Sequence, residues 1–262
     1  MTDWAGGRFG ARARCVLAPN ANPMTLDGTN TWILREPDGN RSVVVDPGPQ
    51  IESHLDEVAG LAGQVSVVLL THGHLDHSEA AKSFAARVGC GVRALDPEQR
   101  LGSEGLGDGD VVAVDGLEVH VVGTPGHTSD SLSFVLPQEQ AVLTGDTVLG
   151  RGTTVVAHPD GRLGAYLSSL HRLRALAEEQ QLNRVWPGHG PVIDDALGAL
   201  DFYLAHRRER LDQVREALAG LDPHAEDLAR QVVERVYVDV DEVLWGAAEL
   251  SVQAQIDYLR AG

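Results

Sequence analysis

The segment VVLLTHGHLDHSEAAKSF, residues 67–84, joins an apolar β-type run to a helical pattern through a turn with three histidines and an aspartate. In an extended backbone, residues two apart point the same way, so His72 and His74 can project together from the end of a strand. Asp76 and His77 follow at the start of the next helix, on the far side of a tight bend. Imidazole and carboxylate groups at this density are typical of a transition-metal site.

Three later segments place further metal-ligand residue types directly after β-type runs. His127 lies in GTPGHTSD, Asp146 in VLTGDT and His189 in VWPGHGPV, each beside glycine or proline. Because loops at strand ends collect functional residues, we expect these side chains to meet the first cluster and hold two cations, with Asp146 between them. Asp46, in VVVDPG, is a candidate to orient one of the imidazoles.

The rest of the first 195 residues alternates β-type and helical patterns. The β-type runs include RCVLA, TNTWILRE, RSVVVDPG, QVSVVLLT, VVAVDG, LEVHVV, SLSFVLP and QAVLTGD, and the helical ones IESHLDEVAGLAG, SEAAKSFAARVG and GRLGAYLSSLHRLRALAEEQ. This pattern predicts an α/β (α+β) fold with sheets covered outside by helices. Three helical patterns follow, so we predict two domains, a catalytic one at 1–195 and an all-helical appendage at 196–262.

These motifs resemble the metallo-β-lactamase superfamily. THGHLDH is similar to its HxHxDH signature, and the later histidines and aspartate follow in the family's order. The resemblance implies an αββα four-layer sandwich with two zinc ions at one edge, or iron or manganese in their place. It also implies that one ion is held by His72, His74 and His127, the other by Asp76, His77 and His189, and both by Asp146.

The subgroup that the sequence resembles is the glyoxalase II-like branch, and within it the β-lactamase-like protein 2 group. The resemblance lies in NPMTLDGTNTWIL, TGDTVLGRGTT and PGHGPVIDDALGALDFYLAHRRER. That group carries a small winged-helix-like unit, which the helices after 195 resemble, although the β-wing looks shortened or missing. An aspartate at the shared position, with no cysteine near the ligands, argues against antibiotic hydrolysis.

The protein is expected to be a metal-dependent, dizinc hydrolase. A metal-bridging hydroxide would attack an ester, thioester or phosphodiester. Asp76 is expected to act catalytically, by hydrogen-bonding the nucleophile and passing a proton to the leaving group. Two alternatives stay open, a single-strand-selective endoribonuclease and a mononuclear-iron persulfide dioxygenase. The net charge of −17 opposes binding to RNA and to anionic membranes, and a small-molecule ester or thioester is the other partner class.

Other residues carry weaker expectations. Thr153 and Thr154 are possible substrate contacts or only hold a loop, and Asn30 is interpreted as a turn residue rather than a substrate contact. Arg207 and Arg208 could bind an anionic group but are interpreted as solvated, and Trp32 and Trp186 as core. Six histidines are not expected to bind metal: His54, His120, His158, His171, His206 and His224. The sequence has no run of about 20 apolar residues and no apolar segment near its start. With two distant cysteines, Cys15 and Cys90, a cytoplasmic location is expected.

Overall fold

A computed structural model of the protein describes residues 4–261, so residues 1–3 and 262, the outer limits of the two predicted domains, lie outside it. The first of two β-sheets has its strands in chain order: β1 (Gly7–Phe9), β2 (Ala13–Leu17), β3 (Asn30–Leu34), β4 (Arg41–Val45), β5 (Gln64–Leu69) and β6 (Gly91–Arg93). Strands β1 to β4 pair antiparallel, whereas β4, β5 and β6 run parallel. The ends of β4 and β5 therefore open at the same edge.

The second sheet has the order β11-β10-β9-β8-β7. Its strands are β7 (Val111–Val114), β8 (Leu117–Gly123), β9 (Leu132–Leu136), β10 (Ala141–Gly145) and β11 (Arg184–Pro187). Only β10 and β11 are parallel, because the helix between them carries the chain back across the sheet. The ends of these two strands also share one edge.

The described residues also form seven α-helices. They are α1 (Glu52–Ala62), α2 (Leu75–Ser78), α3 (Ala81–Val88), α4 (Leu163–Glu179), α5 (Ala196–Leu218), α6 (Leu228–Val236) and α7 (Trp245–Ala261). Helices α1 and α3 pack on the first sheet, and α4 and α5 on the second. The α/β fold class and the αββα layering are confirmed. The structure differs in two details, since the helix predicted over 78–89 is divided into α2 and α3, and β1 was not predicted.

Two tryptophans join the sheets in the central core. Trp32 in β3 and Trp186 in β11 stack with ring centroids 5.1 Å apart and planes 12° from parallel. Both side chains are almost completely buried among the apolar residues of the two inner faces. The expectation that they belong to the core is confirmed, and their stack fixes the separation of the sheets close to the edge where His189 lies.

Helix α5 connects the sandwich to the C-terminal helices. Its first half, with Leu200 and Tyr203, packs against α4, whereas Val214 near its end packs with α6 and α7. In residues 188–261 the structure contains no further strand of a sheet, so this part has no β-wing. Because α5 belongs to both cores, a domain boundary at residue 195 stays a prediction.

Among residues 4–261, none of the helices combines the length and the apolar character that a membrane span requires.

The tryptophan stack yields a stability prediction. We expect Trp186→Ala to lower the free energy of unfolding by about 3–5 kcal/mol, because it removes a large buried side chain from the centre of the core. Trp245→Ala, on a half-buried tryptophan of α7, is the matched control and should cost less than about 2 kcal/mol. Urea unfolding of both variants provides the measurement, and equal losses would contradict the role given to the stack.

Candidate metal centre

The candidate site lies where strands of both sheets end at one edge of the sandwich. From the first sheet, Asp46 follows β4, and the 72–77 turn follows β5. From the second, His127 comes after β8, Asp146 directly after β10, and His189 after β11. All seven predicted ligand residues are brought together here, although more than a hundred positions separate the first from the last.

Three imidazole nitrogens form the first group. His74 Nδ1 lies 3.0 Å from His72 Nε2 and 3.1 Å from His127 Nε2. With Zn–N bonds of about 2.0–2.1 Å, a tetrahedral ion holds its ligand atoms roughly 3.3 Å apart. The spacing of these nitrogens therefore fits one divalent cation.

A carboxylate and two imidazoles form the second group. His189 Nε2 lies 3.1 Å from Asp76 Oδ2 and 3.2 Å from His77 Nε2, and the remaining edge of the triangle, from His77 Nε2 to Asp76 Oδ2, is 3.4 Å. These distances match those of the first group, so a second cation of similar size fits here.

Asp146 lies between the two groups. Its Oδ1 is 3.4 Å from His77 Nε2, and its Oδ2 is 3.3 Å from His189 Nε2 and 3.7 Å from His127 Nε2. Oδ1 is buried and has no hydrogen-bond partner among the described residues. A buried carboxylate oxygen without a donor calls for a cation, and nitrogen and oxygen ligands together suit zinc, iron or manganese. The residues present therefore fit a pair of divalent metals that share this carboxylate.

Backbone carbonyls set the orientation of two imidazoles. The Nδ1–H of His127 donates to the Val155 carbonyl oxygen at 2.7 Å, and that of His189 to the Gly28 carbonyl oxygen at 3.1 Å. Each bond uses the Nδ1 proton as donor, so in the neutral imidazole the lone pair is on Nε2. Both lone pairs therefore face the centre of the site.

Asp46 performs the orienting role that the sequence suggested. Its carboxylate accepts hydrogen bonds from the Thr71 backbone N–H (2.8 Å), the Thr71 hydroxyl (2.6 Å) and His77 Nδ1 (2.9 Å). The Thr71 hydroxyl in turn lies 3.0 Å from His72 Nδ1. One buried carboxylate thus positions an imidazole in each group.

Asn30 belongs to the site, although its sequence context indicated a turn. It is not a turn residue: it begins β3, is completely buried, and donates to the carbonyl oxygens of Pro187 (3.0 Å) and Gly190 (2.8 Å). These bonds cross from the first sheet to the loop that carries His189. The one sequence signal was an amide residue at the start of an apolar strand, where it must find buried partners.

Electrostatics divide the histidines into two kinds. Burial and the neighbouring His77 hold the pKa of His72 well below its usual range, and burial also lowers the pKa of His127. For His189, burial acts in the lowering direction, but Asp146 and Asp76 raise the pKa to about 9. Asp76 has its pKa lowered to about 2, since His77 and His189 outweigh the effect of burial. The side of the site that holds Asp76 and Asp146 thus favours positive charge, which in the absence of metal is a proton on His189.

A cavity of about 440 Å³ opens beside the two groups, and His127 and Asp146 form part of its wall. The loop after Asp146 and the C-terminal helices form much of the remainder. Thr153 lines the cavity with its hydroxyl 3.4 Å from His206 Nε2, whereas the Thr154 hydroxyl donates to the Asp146 carbonyl oxygen at 2.5 Å. Thr153 therefore remains a possible substrate contact, and the Thr154 bond favours a loop-holding role.

Six histidines lie outside the three groups of residues that could hold a metal ion. His206 is the one that borders the cavity, and His54 is buried with Nε2 2.9 Å from the Thr31 hydroxyl. Burial lowers the pKa of His54 to about 4, so it is neutral at physiological pH. The other four are half-buried or exposed, at positions 120, 158, 171 and 224.

Comparison with known proteins establishes the family. The model of the metallo-beta-lactamase superfamily matches residues 24–189, so this chain belongs to that superfamily and is a metallo-β-lactamase-fold hydrolase. It is 33% identical to a beta-lactamase-like protein 2 homolog of Caenorhabditis elegans, over 86% of this chain and 76% of that protein. The resemblance to the superfamily and to the β-lactamase-like protein 2 group is thereby confirmed.

Two further proteins extend the comparison. An atrochrysone carboxyl ACP thioesterase of Cryptosporiopsis sp. is 34% identical over 78% of this chain and 62% of its own length. A solved beta-lactamase domain protein from Burkholderia ambifaria superposes with a TM-score of 0.79 at 22% identity, over 98% of this chain and 88% of that one. At that identity the second similarity supports the fold alone.

The hydrogen bonds of Asp46 predict its effect on metal binding. Asp46→Asn should weaken zinc binding by about 10–100-fold, because an amide cannot accept three hydrogen bonds from Thr71 and His77. Competition with a chromogenic chelator measures the affinity, and Asp38→Asn at an exposed position is the control with the same charge change. Unchanged affinity in Asp46→Asn would contradict the orienting role.

The raised pKa of His189 predicts how the metal-free protein responds to pH. A raised histidine pKa contributes stability that is complete below about pH 6.5 and is lost as the pH rises toward 9. We therefore expect the free energy of unfolding in EDTA to fall by at least about 3 kcal/mol across this window. His189→Gln should make this slope shallower without abolishing it. For His77, burial acts in the lowering direction, but Asp76, Asp146 and Asp46 raise its pKa above the usual range as well. Stability that stays constant or rises with pH in the metal-free wild type would contradict the electrostatic assignment.

Proposed function

We propose that this protein is a dinuclear metal hydrolase that cleaves acyl thioesters of small molecules. The observation that carries the proposal is the pair of ligand groups sharing Asp146 in the wall of a bounded cavity of about 440 Å³. Apolar side chains such as Leu26, Leu149 and Leu244 supply much of that wall. A thioester is the bond that the fungal relative's name says it cleaves, and its acyl part suits an apolar cavity.

Zinc at both positions is the metal assignment that we propose, with iron or manganese as alternatives. When bound, two divalent cations lower the pKa of a water, polarise the substrate carbonyl and stabilise the leaving group. The five histidine nitrogens suit all three metals, so elemental analysis has to decide among them.

Asp76 is the protein group that we assign to proton handling. Its side chain is 27% exposed, against 11% for Asp146, so it is the ligand carboxylate that a substrate water reaches more easily. Because its pKa is lowered to about 2, the carboxylate is ionised and accepts a hydrogen bond from that water. The Thr29 hydroxyl donates to Asp76 Oδ2 at 3.3 Å and helps to fix its orientation.

The reaction balances with water as the only co-substrate. The water oxygen bonds to the acyl carbon, the carbon–sulfur bond breaks, and one water proton passes by way of Asp76 to the departing sulfur. The products are a carboxylic acid and a thiol.

Two features of the proposal concern the cell and the chain. A cytoplasmic location fits the two cysteines, Cys15 and Cys90, since both are unpaired. A division at residue 195 into a catalytic domain and a helical winged-helix-like appendage fits the separate apolar cluster around Val214, Val232 and Val252.

The experiment is a hydrolysis panel with metal-depleted and reconstituted protein. Acyl thioesters of N-acetylcysteamine and of glutathione, single-stranded RNA and glutathione persulfide are the substrates. We expect thioester hydrolysis that EDTA abolishes and two equivalents of Zn²⁺ restore. Asp76→Asn should lower kcat by about 10²–10⁴-fold, because the proton acceptor is lost. His171→Asn, on an exposed face of α4, is the control and should leave kcat unchanged.

Other members of the panel decide against the proposal. Metal-dependent RNA cleavage without thioester hydrolysis would assign the endoribonuclease alternative, despite the charge of −17. Persulfide oxidation by a form with one iron per chain would replace the hydrolase by the dioxygenase.

A further inference from the structure

A buried arginine lies in the cavity wall. Arg207 in α5 is only 7% exposed, although the sequence analysis interpreted it as solvated. Its neighbour Arg208 does face solvent. The earlier interpretation was wrong for Arg207 because α5 packs against α4 with the face that holds Tyr203, and a residue four positions later shares that face.

The guanidinium of Arg207 has few partners that offset its positive charge. Nη2 donates to the Thr154 carbonyl oxygen, and Cζ lies 4.9 Å from the centre of the Tyr166 ring. Nε is buried without an acceptor, and in the described part of the chain no carboxylate lies within ion-pair distance of this arginine. A ring face offsets part of the cost of burying a cation, but a buried unpaired charge still favours an anionic partner.

Two hydrogen bonds connect this arginine to the metal end of the cavity. Thr154, whose carbonyl accepts from Arg207, donates its hydroxyl to the Asp146 carbonyl oxygen. Tyr166, over which the guanidinium stacks, donates to the Thr147 carbonyl oxygen at 2.7 Å. Arg207 is therefore held against the backbone that carries the shared carboxylate. An anion bound to it would lie in the cavity that His127 and Asp146 also line.

Arg210, one turn further along α5, is more fully occupied. Its Nη1 donates to Gln213 Oε1 at 2.9 Å and to the Val236 carbonyl oxygen at 2.8 Å, and its Cζ lies 4.4 Å from the centre of the Tyr237 ring. Arg207 is thus the more deeply buried of these two arginines and the one with a buried N–H, on Nε, that lacks an acceptor. One guanidinium matches one monovalent anion.

We propose that Arg207 binds a carboxylate on the acyl group of the substrate, so that the preferred substrates are thioesters of carboxylated acyl groups. The cleavage of a thioester bond in this inference rests on the proposed function. The binding of a carboxylate by Arg207 does not depend on it. A carboxylate matches the planar guanidinium fork, and its single charge suits a chain whose net charge of −17 disfavours polyanions. The apolar wall then holds the rest of the acyl chain.

The test compares the adipoyl thioester of N-acetylcysteamine with its methyl ester, which has the same chain without the charge. For the zinc-loaded wild type we expect kcat/KM to be at least about 30-fold higher for the carboxylate. Arg207→Met should reduce this ratio to within about threefold, mainly by lowering kcat/KM for the charged substrate. Arg208→Met, the same change on the exposed face of the helix, should leave the ratio intact.

Binding of the corresponding non-hydrolysable amides separates this inference from the function on which it rests. Calorimetry with metal-free and zinc-loaded protein should show tighter binding of the carboxylated amide in both states, and Arg207→Met should abolish the difference. If this binding is found but neither thioester is hydrolysed, the anchor stands and the thioesterase proposal fails.

Three results would overturn the anchor. One is thioester hydrolysis by the wild type without preference for the carboxylate. The second is a carboxylate preference in the metal-free protein that persists in Arg207→Met. The third is an equal loss on both substrates in Arg207→Met and in Arg207→Lys, which would assign Arg207 a structural role only.

Discussion

The constraint on which the site depends is the burial of negative charge. Asp76 and Asp146 lie at 3.1–3.7 Å from histidine nitrogens, and Asp46 lies behind them, largely removed from solvent. Desolvated carboxylates are costly unless positive charge lies beside them. Protons on His77 and His189 supply part of that charge in the metal-free protein, and two divalent cations would supply it fully. Metal binding requires His77 and His189 as neutral ligands, so we expect both to release their protons when metal binds.

The fold maintains this arrangement by joining its two sheets near the site. Asn30 connects β3 to the His189 loop, and the Trp32–Trp186 stack sets the distance between the sheets. The candidate metal ligands come from the sandwich, whereas much of the cavity wall comes from the C-terminal helices. We therefore assign the metal chemistry to the sandwich and much of the substrate selectivity to the C-terminal helices. Arg207 lies where the two parts meet, on a helix that packs with both.

The convergence of the candidate ligand residues could be predicted from the sequence because each segment that carries them follows an apolar strand, and strand ends at one edge converge. The strands and the layering followed from the same local patterns. Asn30 and Arg207 could not be assigned in this way, since their partners are backbone groups or rings remote in sequence. The helical periodicity of α5 could have indicated that Arg207 is buried, because it lies one turn after Tyr203 and shares its face of the helix. The break between α2 and α3 lies where the 72–77 turn packs against the loop after β4. There, Gly48 N–H donates to the His77 carbonyl oxygen, and Ala80 N–H donates to the Gly48 carbonyl oxygen.

Anomalous diffraction from crystals of the protein, recorded at the absorption edges of zinc, iron and manganese, tests the central claim most directly. Two peaks are predicted, one bound by His72, His74 and His127 and the other by Asp76, His77 and His189, with a carboxylate oxygen of Asp146 on each. A protein loaded with metal that shows no peak among these residues, or that binds its metal elsewhere, would contradict the account.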